Sequence, residues 1–273
     1  CQYEVARKCG EKSDVIIRKQ HVDRIIEEYG VENDVNTQCG DITAGGNGSL
    51  MRLAPIPLFY FFSKSNAIEY AGRSASLTHG HRSAIDACRF YSALIWHALH
   101  GVSKEELLHE NFFHKNFENR FDDELMNVIE GSYKTKKGYD DNIRGEGFII
   151  KSLEAALWAF KNDKNSFETG VLLAVNLGDD TDTTAAIVGD LAGAVYSVDS
   201  IPKDWYDSLV KIEKIEELSQ RLMNALAHKR QVRPSLQGPS SDLYLKAAGA
   251  YVAEMMANPS KMLEHQVSYW GKS

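Results

Sequence analysis

Within Gly178-Asp179-Asp180-Thr181-Asp182-Thr183-Thr184, three carboxylates and three hydroxyls crowd one short stretch, after the apolar run 171–177 and before the small-residue run 185–196. A single Asp or Thr is enough to cap a helix start, so capping does not account for that density. Carboxylates held close together repel, and the usual relief is a hard cation that takes oxygen ligands, such as Mg²⁺ or Ca²⁺. Asp180 and Asp182, two apart with Thr183 next, are spaced to offer two carboxylates and a hydroxyl to one ion. The competing reading is a surface loop with more caps than it needs.

Two further clusters sit at helix starts. Gly45-Gly46-Asn47-Gly48-Ser49-Leu50-Met51-Arg52 is a glycine-rich turn that enters an apolar stretch carrying Pro55. Glycines allow close backbone approach, and a helix N-terminus offers free N–H groups to phosphate, although such turns are common without any ligand. Thr78-His79-Gly80-His81-Arg82 puts two histidines and an arginine before another apolar helix. It lacks further ligands for a zinc site, and a cap with surface charge explains it equally.

The elements that must position these clusters are helical. Apolar residues recur at i, i+3 and i+4 over 84–99 (Ala84, Ala87, Cys88, Tyr91, Leu94, Ile95, Ala98), over 148–160 and over 208–226. Helices are also expected at 14–29, 50–63, 103–110, 184–196 and 242–257, with breaks at Gly30, 44–48, Gly101, 131–147, Pro202 and 233–241. No sustained period-2 pattern occurs. In 185–196, Ala185, Ala186, Gly189, Ala192, Gly193 and Ala194 leave one side of the helix almost without bulk, which lets it approach its neighbours and hold the Asp cluster rigidly. The segment 131–147, with Lys134, Lys136, Lys137, Asp140, Asp141, Arg144 and Glu146, reads as either a functional loop or a solvated excursion.

Composition narrows the function. A chain of 273 residues, 43% of them hydrophobic, can bury a sizeable core, and one domain over residues 1–273 is expected. A net charge of -7 argues against a broad grip on nucleic acid or on an anionic membrane. No apolar run approaches the ~20 residues that cross a bilayer. Cys1, Cys9, Cys39 and Cys88 show no CxxC spacing, so neither a zinc site nor a disulfide framework is signalled and a cytoplasmic setting is expected.

Taken in order, Asn47-Gly48-Ser49-Leu50-Met51-Arg52 with Ala54-Pro55, then Thr78-His79, then Gly147-Phe148 with Leu153-Glu154-Ala155-Ala156-Leu157-Trp158-Ala159-Phe160, then Asp180-Thr181-Asp182-Thr183-Thr184 with Leu191-Ala192-Gly193-Ala194 resemble the ADP-ribosylglycohydrolase family. The resemblance runs from about residue 45 to about residue 209, with Ile201-Pro202 and Trp205 following as in many members. It implies an all-α orthogonal many-helix bundle with a central cleft that holds two Mg²⁺ ions. It implies that Asp180, Asp182 and Thr183 supply part of the metal shell. Gly46, Asn47, Gly48, Ser49, His79 and Phe148 would line the ADP-ribose cleft, with Phe148 either stacking on adenine or packing in the core. The implied activity is Mg²⁺-dependent hydrolysis of the glycosidic bond between ADP-ribose and its acceptor. The implied partner is ADP-ribose or an ADP-ribosylated protein, with the acceptor left open.

One departure qualifies this. Family members carry a Thr-Asp-Asp-Thr segment on an early helix that supplies the other metal ligands. No such segment occurs before Gly45, where Asp14, Asp23, Asp34 and Asp41 stand isolated. The expectation is therefore an N-terminally incomplete chain with one Mg²⁺ ion or a weak site. The alternative is a non-catalytic relative kept for ADP-ribose binding or for structure, as in the jellyfish lens crystallins of this fold.

Overall fold

Apolar spacing near 3.6 residues commits this chain to helices, and the computed structural model, which describes residues 42–232, contains no strand among them. The helices expected at 14–29 and 242–257 and the breaks at Gly30 and 233–241 lie outside the described residues. In chain order the helices are α1 (Pro55–Phe59), α2 (Lys64–Ser76), α3 (Arg82–Leu99), α4 (Lys104–Leu107), α5 (Phe112–Asn116), α6 (Asp123–Glu130), α7 (Ile149–Asn162), α8 (Phe167–Val175), α9 (Thr181–Tyr196), α10 (Lys203–Asp207) and α11 (Ile212–Val232). The fold is the expected all-α many-helix bundle. No described helix is long and apolar enough to cross a membrane.

Helices α3, α7 and α9 form the centre. Ala84, Ala87, Cys88, Tyr91, Leu94 and Ile95 of α3 are fully buried, as are Ile149, Leu153 and Phe160 of α7. Each such large side chain contributes roughly 1.5–3 kcal/mol of apolar burial. The small residues of α9 do what their size suggests: the helix packs against α3, α7 and α8, and the buried Tyr91 hydroxyl of α3 donates to the Ile187 carbonyl within it.

Helix α2 carries few large apolar residues and docks through small ones. Ala67, Ala71, Gly72 and Ala75 are buried, and Ser92 Oγ of α3 donates to the Ala67 carbonyl at 3.0 Å. The helix expected over 50–63 shrinks to α1, which starts at Pro55. Proline suits a first turn but removes a donor from a helix interior, so the flanking residues form turns instead. The helix expected over 208–226 begins only at Ile212, as α11, because Lys211 takes a φ of 63°, and it runs on to Val232.

Segment 131–147 is a pinned strap. Tyr133 and Ile143 are buried at 2% and 0% exposure, and Trp158 Nε1 donates to the Lys136 carbonyl at 2.9 Å. The buried Glu154 carboxylate of α7 accepts from Ser132 Oγ and, at 2.6 Å, from Lys136 Nζ. The strap thereby delivers Gly145, Glu146 and Gly147 to the starts of α7 and α9.

Candidate functional site

The Asp cluster lies at the N-terminus of α9. Asp179 takes a φ of 60°, and Asp180 occupies the N-cap position without capping through its side chain. Its carbonyl accepts from Thr184 N at 3.1 Å and Thr184 Oγ1 at 2.9 Å. Burial pushes the Asp180 carboxyl up, but hydrogen bonds from Asn47, Thr183 and Asp182 outweigh it and hold the group below its ordinary range. Asp182, raised first by burial and then by its hydrogen bond to Asp180, is the member of the pair that keeps a proton more readily. Two carboxyls in mutual contact are the arrangement expected where like charges share a site.

Asn47 reaches Asp180 across 133 residues of sequence. Its Nδ2 donates to Asp180 Oδ2 at 2.7 Å and to Ser152 Oγ at 2.8 Å. The turn that carries it, 47–49, is a short 3-10 helix tied to the strap: Asn47 N donates to the Gly147 carbonyl at 3.0 Å, and Ile149 N to the Gly45 carbonyl at 2.9 Å. Gly46 and Phe148 form an isolated antiparallel bridge there.

His79 lies over the glycine turn. A Cβ at Gly46 would meet His79 Nε2 at 3.2 Å, and one at Gly48 would meet Cε1 at 3.3 Å, so the ring's position depends on those glycines. Burial, then the charge of Arg52, lowers the His79 pKa from 6.5, which leaves the ring neutral at pH 7. Arg52 Nη2 donates to Thr78 Oγ1 at 2.8 Å, and that oxygen lies 2.7 Å from His79 Nδ1. The Thr78 hydroxyl thus ties the imidazole to Arg52, and Nε2 is the ring nitrogen that faces the glycine turn.

Three consecutive strap carbonyls close the site. Gly145 O accepts from Asp180 N at 2.7 Å, Glu146 O from Ser152 Oγ at 2.5 Å, and Gly147 O from Asn47 N at 3.0 Å. The approach is tight enough that a Cβ at Gly145 would stand 2.7 Å from Thr184 Oγ1 and 3.2 Å from the Gly178 carbonyl.

The donor set suits one side of a hard-cation shell: two contacting carboxyls with the Thr183 hydroxyl on Asp180. Among the described residues, no group of three or more His, Cys, Asp or Glu side chains is gathered to complete such a shell.

Residues 14–232 match the family model for ADP-ribosylglycohydrolase, a span that takes in the turn, the strap and the Asp cluster. The chain belongs to the ADP-ribosylglycohydrolase family. It is similar to an ADP-ribosylarginine hydrolase of Pseudomonas putida, 37% identical over 184 residues that cover 67% of this chain and 47% of the relative. An ADP-ribosyl-dinitrogen-reductase glycohydrolase of Rhodospirillum rubrum is 28% identical over 189 residues, 66% of this chain and 55% of the relative. A solved structure described as an ADP-ribosylglycohydrolase-related protein complex superposes with a TM-score of 0.60 at 32% identity, covering 85% of this chain and 68% of that one. The chain spans about half the length of the curated relatives it matches.

In this ADP-ribosylglycohydrolase-family chain, Gly46, Asn47, Gly48, His79, Asp180, Asp182 and Thr183 gather around the start of α9 and the glycine turn. Thr183 also donates to Met51 Sδ at 3.5 Å. Ser49 does not join them: it is 2% exposed, and its hydroxyl accepts from the Cys88 thiol of α3 at 3.5 Å. Phe148 is half-buried and packs edge-on against His81, with ring centroids 6.2 Å apart. Ser152 and the strap carbonyls were missed by sequence reasoning. A serine in a helix carries no signal of its own, whereas the Gly145-Glu146-Gly147 spacing before an apolar helix could have marked a close backbone approach.

Proposed function

We propose that this chain binds ADP-ribose between the glycine turn, His79 and the start of α9, and hydrolyses the bond that joins ADP-ribose to its acceptor with Mg²⁺ held by Asp180, Asp182 and Thr183. The observation that carries this reading is the 2.7 Å hydrogen bond from Asn47 to Asp180, which joins the ligand turn to the acidic cluster at one point. Family membership, and relatives named for removing ADP-ribose, support it. ADP-ribosylarginine is the first substrate to test, because two of the matched relatives, at 37% and 34% identity, are ADP-ribosylarginine hydrolases.

The chain's own groups would act mainly by orientation. His79, its pKa lowered by burial, presents ring Nε2 beside the glycine turn. Asn47 holds Asp180 ionised and in place. When bound, Mg²⁺ would supply a concentrated positive charge that fixes ribose oxygens and favours deprotonation of water. Holding reactants in register is worth several kcal/mol of barrier, and no base beyond the acidic pair is needed for that contribution.

A second reading keeps the cleft as an ADP-ribose binder without turnover. The observation favouring it is that two carboxyls and a hydroxyl are what the described residues bring to the cation. The 273-residue chain, incubated with an ADP-ribosylarginine peptide and assayed for free ADP-ribose with and without Mg²⁺, separates the two, with calorimetry for ADP-ribose alongside. Mg²⁺-dependent release supports the hydrolase. Binding without release supports the binder, and neither binding nor release refutes both.

A further inference from the structure

Asn47 Nδ2 lies between Ser152 Oγ at 2.8 Å and Asp180 Oδ2 at 2.7 Å. The single hydrogen of Ser152 Oγ is committed to the Glu146 carbonyl at 2.5 Å, so a lone pair faces Asn47 and the amide must present its nitrogen there. That fixes which end of the amide is which, a choice that heavy-atom positions alone do not make. Both amide hydrogens are thereby used, and Oδ1 accepts no hydrogen bond among the described residues.

Ser152 is an unusual place to find a polar group. It is 0% exposed in the first turn of α7, and a helical serine ordinarily turns its hydroxyl to solvent or to its own preceding turn. Here the hydroxyl leaves the helix and bonds the strap and the turn at once. A buried hydroxyl is costly unless satisfied, and alanine would pack without that cost, so packing alone gives no reason for serine.

We propose that Ser152 is a positioning residue of the ADP-ribose cleft: oriented by the Glu146 carbonyl, it fixes the plane of the Asn47 amide so that Nδ2 serves Asp180 and Oδ1 is left for the ligand. This rests on the functional reading above for the identity of the ligand, though the hydrogen-bond logic stands without it. Without the Ser152 hydroxyl, Nδ2 keeps Asp180 at 2.7 Å and a long 3.4 Å contact to the Glu146 carbonyl, so the amide would pivot about Asp180 and Oδ1 would lose its direction.

A double-mutant cycle with Ser152→Ala and Asn47→Ala in the full chain, read as ADP-ribose affinity by calorimetry, tests the proposal. Ser152→Ala is expected to weaken binding about tenfold in the unaltered background, the size of one well-placed hydrogen bond, and less than about twofold when Asn47 is already alanine. Ser152→Thr, which keeps the hydroxyl, is expected to restore affinity to within about threefold of the unaltered chain. Equal losses in both backgrounds would mean that Ser152 serves the fold generally, and would overturn the proposal. Should Ser152→Ala lose its helical circular dichroism, Ser152→Cys, which keeps the volume but hydrogen-bonds weakly, replaces it in the cycle. Absence of ADP-ribose binding by the unaltered chain is a failure of the functional reading, and the Asn47 side-chain amide then decides. Its nuclear magnetic resonance pair, identified by its loss in Asn47→Ala, is expected to exchange slowly with water in the unaltered chain and at least about tenfold faster in Ser152→Ala. Exchange that is the same in both overturns the proposal.

Discussion

At the scale of single residues, burial raises both members of the acidic pair, and the hydrogen bonds from Asn47 and Thr183 are what turn Asp180 the other way. Asp180→Asn removes the charge at nearly constant shape. It should abolish Mg²⁺ binding measured by calorimetry while leaving the far-ultraviolet dichroism unchanged, and undiminished Mg²⁺ affinity in that variant would remove the metal assignment. The histidines make a separate forecast. Burial lowers His79, His97 and His100 from the ordinary 6.5, so the folded chain binds fewer protons than the unfolded one just below that pH. Stability from these groups is complete above pH 6.5 and declines as pH falls through their lower folded values. Chemical denaturation should therefore show a lower midpoint at pH 5.5 than at pH 7.5, and imidazole resonances should titrate below 6.5. A midpoint that rises on acidification would contradict this. The Asp cluster could be named from sequence because its density exceeds what a cap needs, and Asn47 and His79 because they stand in motifs that follow one another in the family's order. Ser152 could not, because its meaning lies in which carbonyl it meets.

At the scale of elements, legibility followed side-chain size. α3 and α7 announced themselves through large apolar residues at helical spacing, whereas α2 buries Ala67, Ala71, Gly72 and Ala75, whose small side chains add little apolar weight to the sequence. The strap was ambiguous because its charges outnumber its anchors. Tyr133, Ile143 and the Glu154 carboxylate hold it, and of these only Tyr133 and Ile143 lie within the segment. Glu154→Gln should test that hold. It leaves Lys136 facing a neutral amide in a largely buried site, at a cost of about 2 kcal/mol in unfolding free energy, below the 3–5 kcal/mol of fully buried pairs. Amide hydrogen exchange should accelerate selectively over 131–147. Uniform acceleration, or none, would show that the strap is held by its backbone alone.

At the scale of the whole molecule, one apolar core runs through the described helices, and buried polar ties link its parts. Asp163, 0% exposed at the end of α7, accepts from Lys104 Nζ of α4 at 2.5 Å and from the Tyr196 hydroxyl of α9 at 2.9 Å. Asp163→Ala would leave Lys104 without its anion at 10% side-chain exposure, and a loss of about 3 kcal/mol or more in unfolding free energy is expected from urea titration. A loss near zero would mean that the lysine swings out to water.

The stitch between Asn47, Ser152 and Asp180 also sets a clock. Its hydrogen bonds close loops of 105 and 133 residues, while α2 and α3 meet across a short turn. Chain closure over such spans is slow compared with neighbouring helices coming together. On dilution from denaturant, helical dichroism should return before the chain regains the capacity to bind ADP-ribose. The interval between the two recoveries would measure how long the molecule exists as a set of helices without a cleft.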